Sequence, residues 1–423
     1  MKFVLANWGT RGEVEPYVAV GRELVRRGHD VSMAVAPEMV GFVESAGPKG
    51  IAYGPDLRSI LDPHRDFWMY FYGNAWKIRK LGKMWSELSE PLIQSREAVS
   101  ATLLSLADGA DVLLTGMNFE DTAANVAECY DLPLSTLHIF PVRANGQLVP
   151  LVPAPVGRSM MTLFEWLSWR GPKKAEDAQR RQLGLANSTA PWPQRIAERG
   201  SLEIQAYDEV CYPGLAAEWA KWGAGRPFVG ALTMGLSTDT DDEVASWIAA
   251  GSPPICFSFG SVGVESAADL LAMIATACAQ LGERALICAA GTDFSDVADL
   301  DDHVLVVDTM NYGANLPGCR AFAHHGGAGT TNAGLRAGLP TLVLWTLPDQ
   351  AAWGSRIKRL KVGTGRRFSA TTRDSLVADL RTVLAPECLS RSRDLAAQMT
   401  HPADSIVVAA DLLENFARLK CVG

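Results

Sequence analysis

Residues 323–331 read Ala-His-His-Gly-Gly-Ala-Gly-Thr-Thr, a run that fits one local structure: the turn between a buried strand and a helix. It follows the apolar Cys319-Arg-Ala-Phe and leads into Asn332-Ala-Gly-Leu-Arg-Ala-Gly338. Its three glycines release the backbone from Cβ sterics, so strand, tight turn and short helix can follow without a gap. A helix start at Gly329 to Thr331 aims free N–H groups and the positive end of a dipole at whatever lies there, which suits a phosphate. His325 adds a ring donor with partial or full positive charge, and Thr330 and Thr331 add hydroxyls, as an anion of more than one charge would require. The plainer alternative is a tight turn with two structural histidines. A paired His beside three Gly and two Thr is more than a turn needs.

Such a unit belongs in a parallel sheet, and the rest of the chain supplies the alternation. Lys2 to Asn7 reads as a buried strand, Trp8 to Glu13 as a loop and Val14 to Arg27 as an amphipathic helix, with Pro16 early and Gly28 after its end. Further strands are expected at Asp30 to Ala36, Ile51 to Tyr53, Asp111 to Gly116, Leu134 to Phe140 and Ser201 to Tyr207, with helices at Glu38 to Ala46 and Glu120 to Tyr130. A second series runs Pro254 to Phe259, a helix through Leu281, Ala285 to Ala290, His303 to Val307 and Thr341 to Trp345. This is the βαβ rhythm of an α/β protein. At 423 residues the chain is too long for one core, so two domains are expected. We place them at residues 1–210 and 236–403, with a linker at 211–235 and a C-terminal helix over 404–423.

Several function classes fall away on composition and spacing. A net charge of -8 argues against nucleic acid, which favours a basic face. The eight cysteines, among them Cys129, Cys256, Cys278 and Cys288, form no Cys-x-x-Cys pair, so neither a zinc site nor a disulfide framework is indicated. Phe3 to Ala6 is far too short for a signal peptide, and no run approaches the ~20 apolar residues of a membrane span, so a cytoplasmic protein is expected. The first turn, Gly9-Thr-Arg-Gly-Glu-Val-Glu-Pro16, lacks the Gly-x-Gly-x-x-Gly spacing that a dinucleotide needs. Arg11, Glu13 and Glu15 would stand at the carboxyl end of the sheet, facing an interdomain cleft or the helix's first turn. Stabilisation of an acid there, about 0.3–1 kcal/mol, would by itself explain both glutamates.

Two aromatic stretches interrupt the rhythm: Phe67-Trp-Met-Tyr-Phe-Tyr72 with Trp76, Met84 and Trp85, and Met160 to Trp169 with Arg170, Lys173 and Lys174 after it. They read either as core helices covering the sheet or as insertions offering Trp68, Phe71 and Trp166 to a large apolar acceptor. The basic residues after Trp169 suit contact with an anionic membrane surface, which would put the protein at the membrane's inner face. Asp239 and Asp241 form an Asp-x-Asp, which we read as capping the helix around Ala245 to Ala249 rather than as a metal site. Leu347-Pro-Asp-Gln350 ends a strand, and Asp349 there is also a candidate N-cap for the helix through Leu360.

Taken together, the His-Gly-Gly-Ala-Gly-Thr run, the Ser258-Phe-Gly-Ser261 loop, Pro348-Asp-Gln350 and the first βα turn resemble the inverting nucleotide-sugar glycosyltransferases of the UDP-glycosyltransferase superfamily. The likeness covers nearly the whole chain and is nearest to actinobacterial enzymes acting on glycopeptides, macrolides and glycopeptidolipids, and to sterol glucosyltransferases. It implies the GT-B fold, two Rossmann-like doubly wound domains facing across a cleft. It implies a nucleotide-sugar donor, dTDP- or UDP-linked, held by Ser261, Thr309, Met310, His325, Gly327, Ala328, Gly329, Thr330, Asp349 and Gln350, with no metal and no cofactor. In the family an Asp in the first turn is the catalytic base; Glu13 is the matching position and departs from that pattern by one methylene. Arg11 would lie among the acceptor contacts, and the acceptor would be a hydrophobic molecule bearing a hydroxyl. The implied reaction is a direct inverting displacement assisted by a general base, help worth about 10²–10⁴-fold. The alternatives are a nucleotide-sugar epimerase of the same architecture, which has no use for two aromatic insertions, and a non-catalytic carbohydrate-binding module.

Overall fold

The computed structural model describes residues 1–149, 152–260, 266–290 and 302–421. The chain divides into two compact units, Met1–Met234 with the C-terminal segment from Thr400, and Gly235–Met399. In the first unit, apolar runs such as Phe3-Val-Leu-Ala form six parallel strands, all but the edge strand Lys49–Ala52 buried nearly throughout, as parallel strands are when helices cover both faces. They are β1 (Lys2–Asn7), β2 (Asp30–Val35), β3 (Lys49–Ala52), β4 (Val112–Thr115), β5 (Leu134–His138) and β6 (Leu202–Gln205). Their order is β3-β2-β1-β4-β5-β6, with Lys2 opposite Asp30 and Phe3 opposite Val112. The winding reverses between β1 and β4, and open α/β sheets bind ligands beyond the carboxyl ends of the strands at such a point.

Helix α1 spans Arg11–Arg26, three residues earlier than the expected start at Val14. Thr10 and Glu13 close a capping box whose reciprocal bonds stabilise a first turn that Gly12 by propensity would weaken. The first aromatic stretch lies in two long helices, α2 (Arg58–Asn74) and α3 (Ile78–Ala107). Phe67, Leu81 and Leu88 are buried there, and Trp68 and Phe71 pack against the same core. After α4 (Glu120–Cys129), the second stretch forms α5 (Ala154–Arg170), of which Trp169 is buried while Leu163, Phe164 and Leu167 are exposed. The C-terminal helix, Pro402–Cys421, packs Ala409, Ala410, Leu413 and Ala417 into the core that holds Val14, Val18 and Leu24 of α1. Arg27 anchors it by pairing with Asp411 (2.6 Å), and His29 meets Glu414 (2.7 Å).

The second unit repeats the winding: β7 (Ile255–Ser258), β8 (Ala285–Cys288), β9 (Val304–Val307), β10 (Ala321–His324), β11 (Thr341–Trp345) and β12 (Gly363–Arg367) are parallel in the order β12-β11-β10-β7-β8-β9. Its switch point lies between β7 and β10. The sequence reading misses β12, because Gly363-Thr-Gly-Arg-Arg contains no apolar residue. It is an edge strand, half-buried throughout and held in register by its backbone bonds to β11. Around the sheet stand α6 (Asp241–Ala249), α7 (Ala267–Leu281), α8 (Ala328–Arg336) and α9 (Pro348–Leu360). Among the described residues, no helix is long and apolar enough to cross a membrane.

Candidate active site

At the switch point of the second unit, His325 follows the end of β10 and its N–H donates to the carbonyl of Ser258 at the end of β7 (3.2 Å). The His325 ring fits between two glycines. A Cβ on Gly260 would come within 2.8 Å of its Cε1, and one on Gly327 within 2.5 Å of its Nε2. Gly326 is required for another reason: its φ is +96°, and a Cβ there would stand 2.6 Å from Val343 and 3.1 Å from Gln350. Of the three glycines in the turn, Gly329 alone has no neighbour within 4 Å of that point among the described residues. The packing therefore explains two glycines and leaves the third, in the first turn of α8, without a role in the fold.

His325 Nδ1 is buried and has no hydrogen-bond partner among the described residues. Burial lowers the ring's pKa to about 4, so it is neutral near pH 7 in the ligand-free protein and does not carry the full positive charge that the motif suggests. The two histidines differ in role. His324 is fully buried, lies tilted against the Phe322 ring (4.7 Å) and accepts the Gly326 N–H on Nδ1 (2.9 Å), so it shapes the turn. Gly327 is the N-cap of α8, and Ala328, Gly329 and Thr330 make its first turn. The Thr331 hydroxyl donates back to the Gly327 carbonyl (2.8 Å) and is thereby engaged within the helix.

The first turn of α9 packs against Gly326 through Gln350, which brings Gln350 to the glycine turn. Gln350 Oε1 accepts the N–H groups of Thr346 (2.9 Å) and Leu347 (3.0 Å), so Gln350, not Asp349, caps the helix. Burial raises the Asp349 carboxyl. Beyond β9, Met310 is buried in the core, and the Thr309 carbonyl accepts from the Thr240 hydroxyl. Asp241 is the first residue of α6 rather than a cap, and its carboxylate pins this segment by accepting from Asn311 N (2.8 Å) and Asn315 Nδ2 (2.9 Å). That role went unread in the sequence, because the two asparagines lie some seventy residues away. Ser261 lies outside the described residues.

At the switch point of the first unit stands Glu13. Its Oε2 accepts from Thr10 N (2.8 Å) and Thr10 Oγ1 (3.3 Å), and a Cβ on Gly9 would meet that oxygen at 2.4 Å. Asn7, the last residue of β1, donates its amide to the Glu13 carbonyl (2.7 Å). Asn7 and Tyr17 also explain Gly116 after β4, where a Cβ would come within 2.1 Å of the Asn7 side chain and 2.6 Å of the Tyr17 hydroxyl. None of these three residues was singled out by its local pattern. Arg11 pairs with Glu15 (3.6 Å) and lies over Phe42 (4.9 Å), and Glu15 accepts the Met234 N–H (2.8 Å). Trp68 donates to His64 Nε2 (2.9 Å), while Trp166 is partly exposed beneath the Arg170 guanidinium (4.6 Å). The structure thus gathers His325, Gly327 to Thr330, Asp349 and Gln350 in one unit and sets Glu13 and Arg11 in the other.

Comparison with known proteins agrees in kind. A glycosyltransferase family 28 N-terminal domain matches residues 3–102, and an erythromycin biosynthesis protein CIII-like C-terminal domain matches residues 272–414. The chain is 54% identical to an uncharacterized glycosyltransferase of Mycobacterium tuberculosis over 421 residues, 99% of each chain. It is 26% identical to a sterol 3-beta-glucosyltransferase of Arabidopsis thaliana, over 97% of this chain and 67% of that one. The solved structure of the glycosyltransferase VinC in complex with dTDP shares the fold over 100% of both chains, with a TM-score of 0.65 and 17% identity.

Proposed function

The chain belongs to the GT-B glycosyltransferases that join a family 28 N-terminal domain to a CIII-like C-terminal domain, and from that premise we propose that it is an inverting, metal-independent hexosyltransferase. Its donor is a nucleoside-diphosphate hexose or deoxyhexose, dTDP- or UDP-linked, and its acceptor is a hydroxyl on a hydrophobic molecule such as a glycopeptidolipid, a natural-product aglycone or a sterol. The observation that carries this reading is the phosphate turn: an unsatisfied buried Nδ1 on His325 beside the free N–H groups that open α8. The relatives above are glycosyltransferases, so the epimerase alternative gains no support. The dTDP bound to VinC supports the donor class, and the name of the sterol glucosyltransferase supports the acceptor class.

In the proposed reaction the acceptor oxygen attacks the anomeric carbon as the bond to the diphosphate breaks. Glu13 takes the hydroxyl proton. Developing charge on the diphosphate is met by the start of α8, the Thr330 hydroxyl and His325, which picks up a proton more readily beside an anion than in the free protein. Asp349 and Gln350 are assigned to the sugar hydroxyls, and Thr309 and Met310 to the nucleobase. Incubation with a panel of dTDP- and UDP-sugars in excess EDTA tests the proposal. Slow release of nucleoside diphosphate from one of them is expected; release only after adding Mn²⁺ or Mg²⁺ would refute metal independence, and none under either condition would refute the donor class.

A further inference from the structure

We propose that the corner between α2 and α3 is a membrane-docking element that seats Trp76 and Ile78 in the interface of an anionic phospholipid bilayer. The chain is acidic overall, yet residues 67–86 contain no Asp or Glu and four bases, Lys77, Arg79, Lys80 and Lys83. The structure folds that segment into a projecting corner. α2 ends at Asn74, α3 begins at Ile78, and every residue from Ala75 to Lys80 is exposed. Trp76 is 73% and Ile78 77% exposed, while Phe67 and Leu81, one to three turns away, are buried and anchor both helices to the core. The Tyr70 ring lies beneath the ammonium groups of Lys80 (4.2 Å) and Lys77 (5.8 Å), drawing both towards the aromatic side of the corner. Lys83 makes a loose, solvent-exposed pairing with Glu87 (3.6 Å), which leaves its charge available.

Charge and side-chain type identify the occupant. Trp and aliphatic tips flanked by Lys and Arg match the headgroup boundary of an anionic leaflet, where the indole sits at headgroup depth and the cations meet lipid phosphates. The corner is also distinct from the aromatic residues assigned to an acceptor, since Trp68 and Phe71 pack inward on the core. The basic residues after α5, which the sequence offers for the same purpose, are partly engaged: Lys173 bonds Asp177 and the Ser188 carbonyl.

Flotation of the full chain with vesicles tests this without any donor or acceptor, so it stands or falls separately from the proposed function. Binding to phosphatidylcholine vesicles containing phosphatidylglycerol is expected, weakened by added salt, with little binding to phosphatidylcholine alone. Trp76→Ser with Ile78→Ser, and separately Arg79→Glu with Lys80→Glu, should each lower partition at least about tenfold with unchanged Tm and unchanged donor hydrolysis. The proposal is overturned if the unmodified chain ignores anionic vesicles, or if both double variants partition as it does. In the second case Phe164→Ser with Leu167→Ser would move the docking face to α5. A selective rise in acceptor KM with undiminished partition would make the corner an acceptor surface instead.

Discussion

Glu13 has one observed task and one proposed task, and they make opposite demands. One carboxylate oxygen already serves the capping box with Thr10, yet the residue stands at the switch point, where the proposed reaction would draw its base. Glu13→Gln retains a capping oxygen, so stability should change by no more than about 1 kcal/mol. If Glu13 is the base, kcat should fall by roughly 10²-fold or more while donor binding persists, because basicity is lost. Glu13→Asp should fall less. A nearly active Gln variant would return the residue to its capping role and shift attention to Glu15. His325 makes the second prediction at this scale. With its pKa held at about 4 by burial, binding of a nucleoside diphosphate should draw a proton onto the ring. Calorimetry near pH 6 in two buffers of different ionisation enthalpy would detect that uptake, and His325→Ala should abolish it while weakening affinity at least about tenfold. Unchanged affinity in a folded variant would remove His325 from the phosphate site.

The glycine turn and α8 separate the needs of the fold from those of a ligand. Gly326→Ala puts a Cβ at a φ of +96° and against Val343, so denaturant unfolding should show a loss of about 1–3 kcal/mol or more. Gly329→Ala meets no neighbour and improves helix propensity by up to about 1 kcal/mol, so the protein should be as stable or more stable. If the diphosphate approaches that backbone, nucleotide affinity nevertheless falls; a stable variant with full affinity would show that the third glycine is not there for the donor. Much of this element was legible, because glycine and Thr placement report backbone demands directly. The start of α1 was less so, since Gly12 masks a capping box that Thr10 and Glu13 spell out. β12 was not legible at all: an edge strand of Gly, Thr and Arg is held by its neighbour's backbone rather than by apolar alternation.

At the scale of the whole molecule, several buried charges of the first unit are concentrated in one network. Glu120 accepts a bidentate pair from Arg143 and a bond from Trp192, and Arg143 also reaches Glu203. Burial alone would raise the Glu120 carboxyl, but Arg143 and the His138 bond hold it down to about 2 against an ordinary 4.5. A depressed carboxyl stabilises fully above 4.5 and progressively less as pH falls towards 2. Burial and Arg143 also lower His138, so below about 6.5 the unfolded chain takes up a proton that the folded chain resists. Both groups therefore weaken the fold in acid, and Tm should decline from about pH 6.5 downward, with a steeper fall below about 4.5. Arg143→Met, which takes the guanidinium from buried Glu120 while Glu203 keeps Arg226 (2.9 Å), should cost about 3–5 kcal/mol near pH 7; a mild loss would mean the network is hydrated rather than dry. By itself the sequence determined the α/β class and the strand, glycine turn and helix around His325, because strand burial, helix period and glycine placement are written over a few residues each. Only the tertiary structure decided which glycines the packing requires, that His325 is neutral, that Gln350 rather than Asp349 caps its helix, and which aromatic residues turn inward. Each of those depends on neighbours distant in sequence, and burial, the quantity that sets a pKa or strands a Trp in solvent, exists only once the chain has folded.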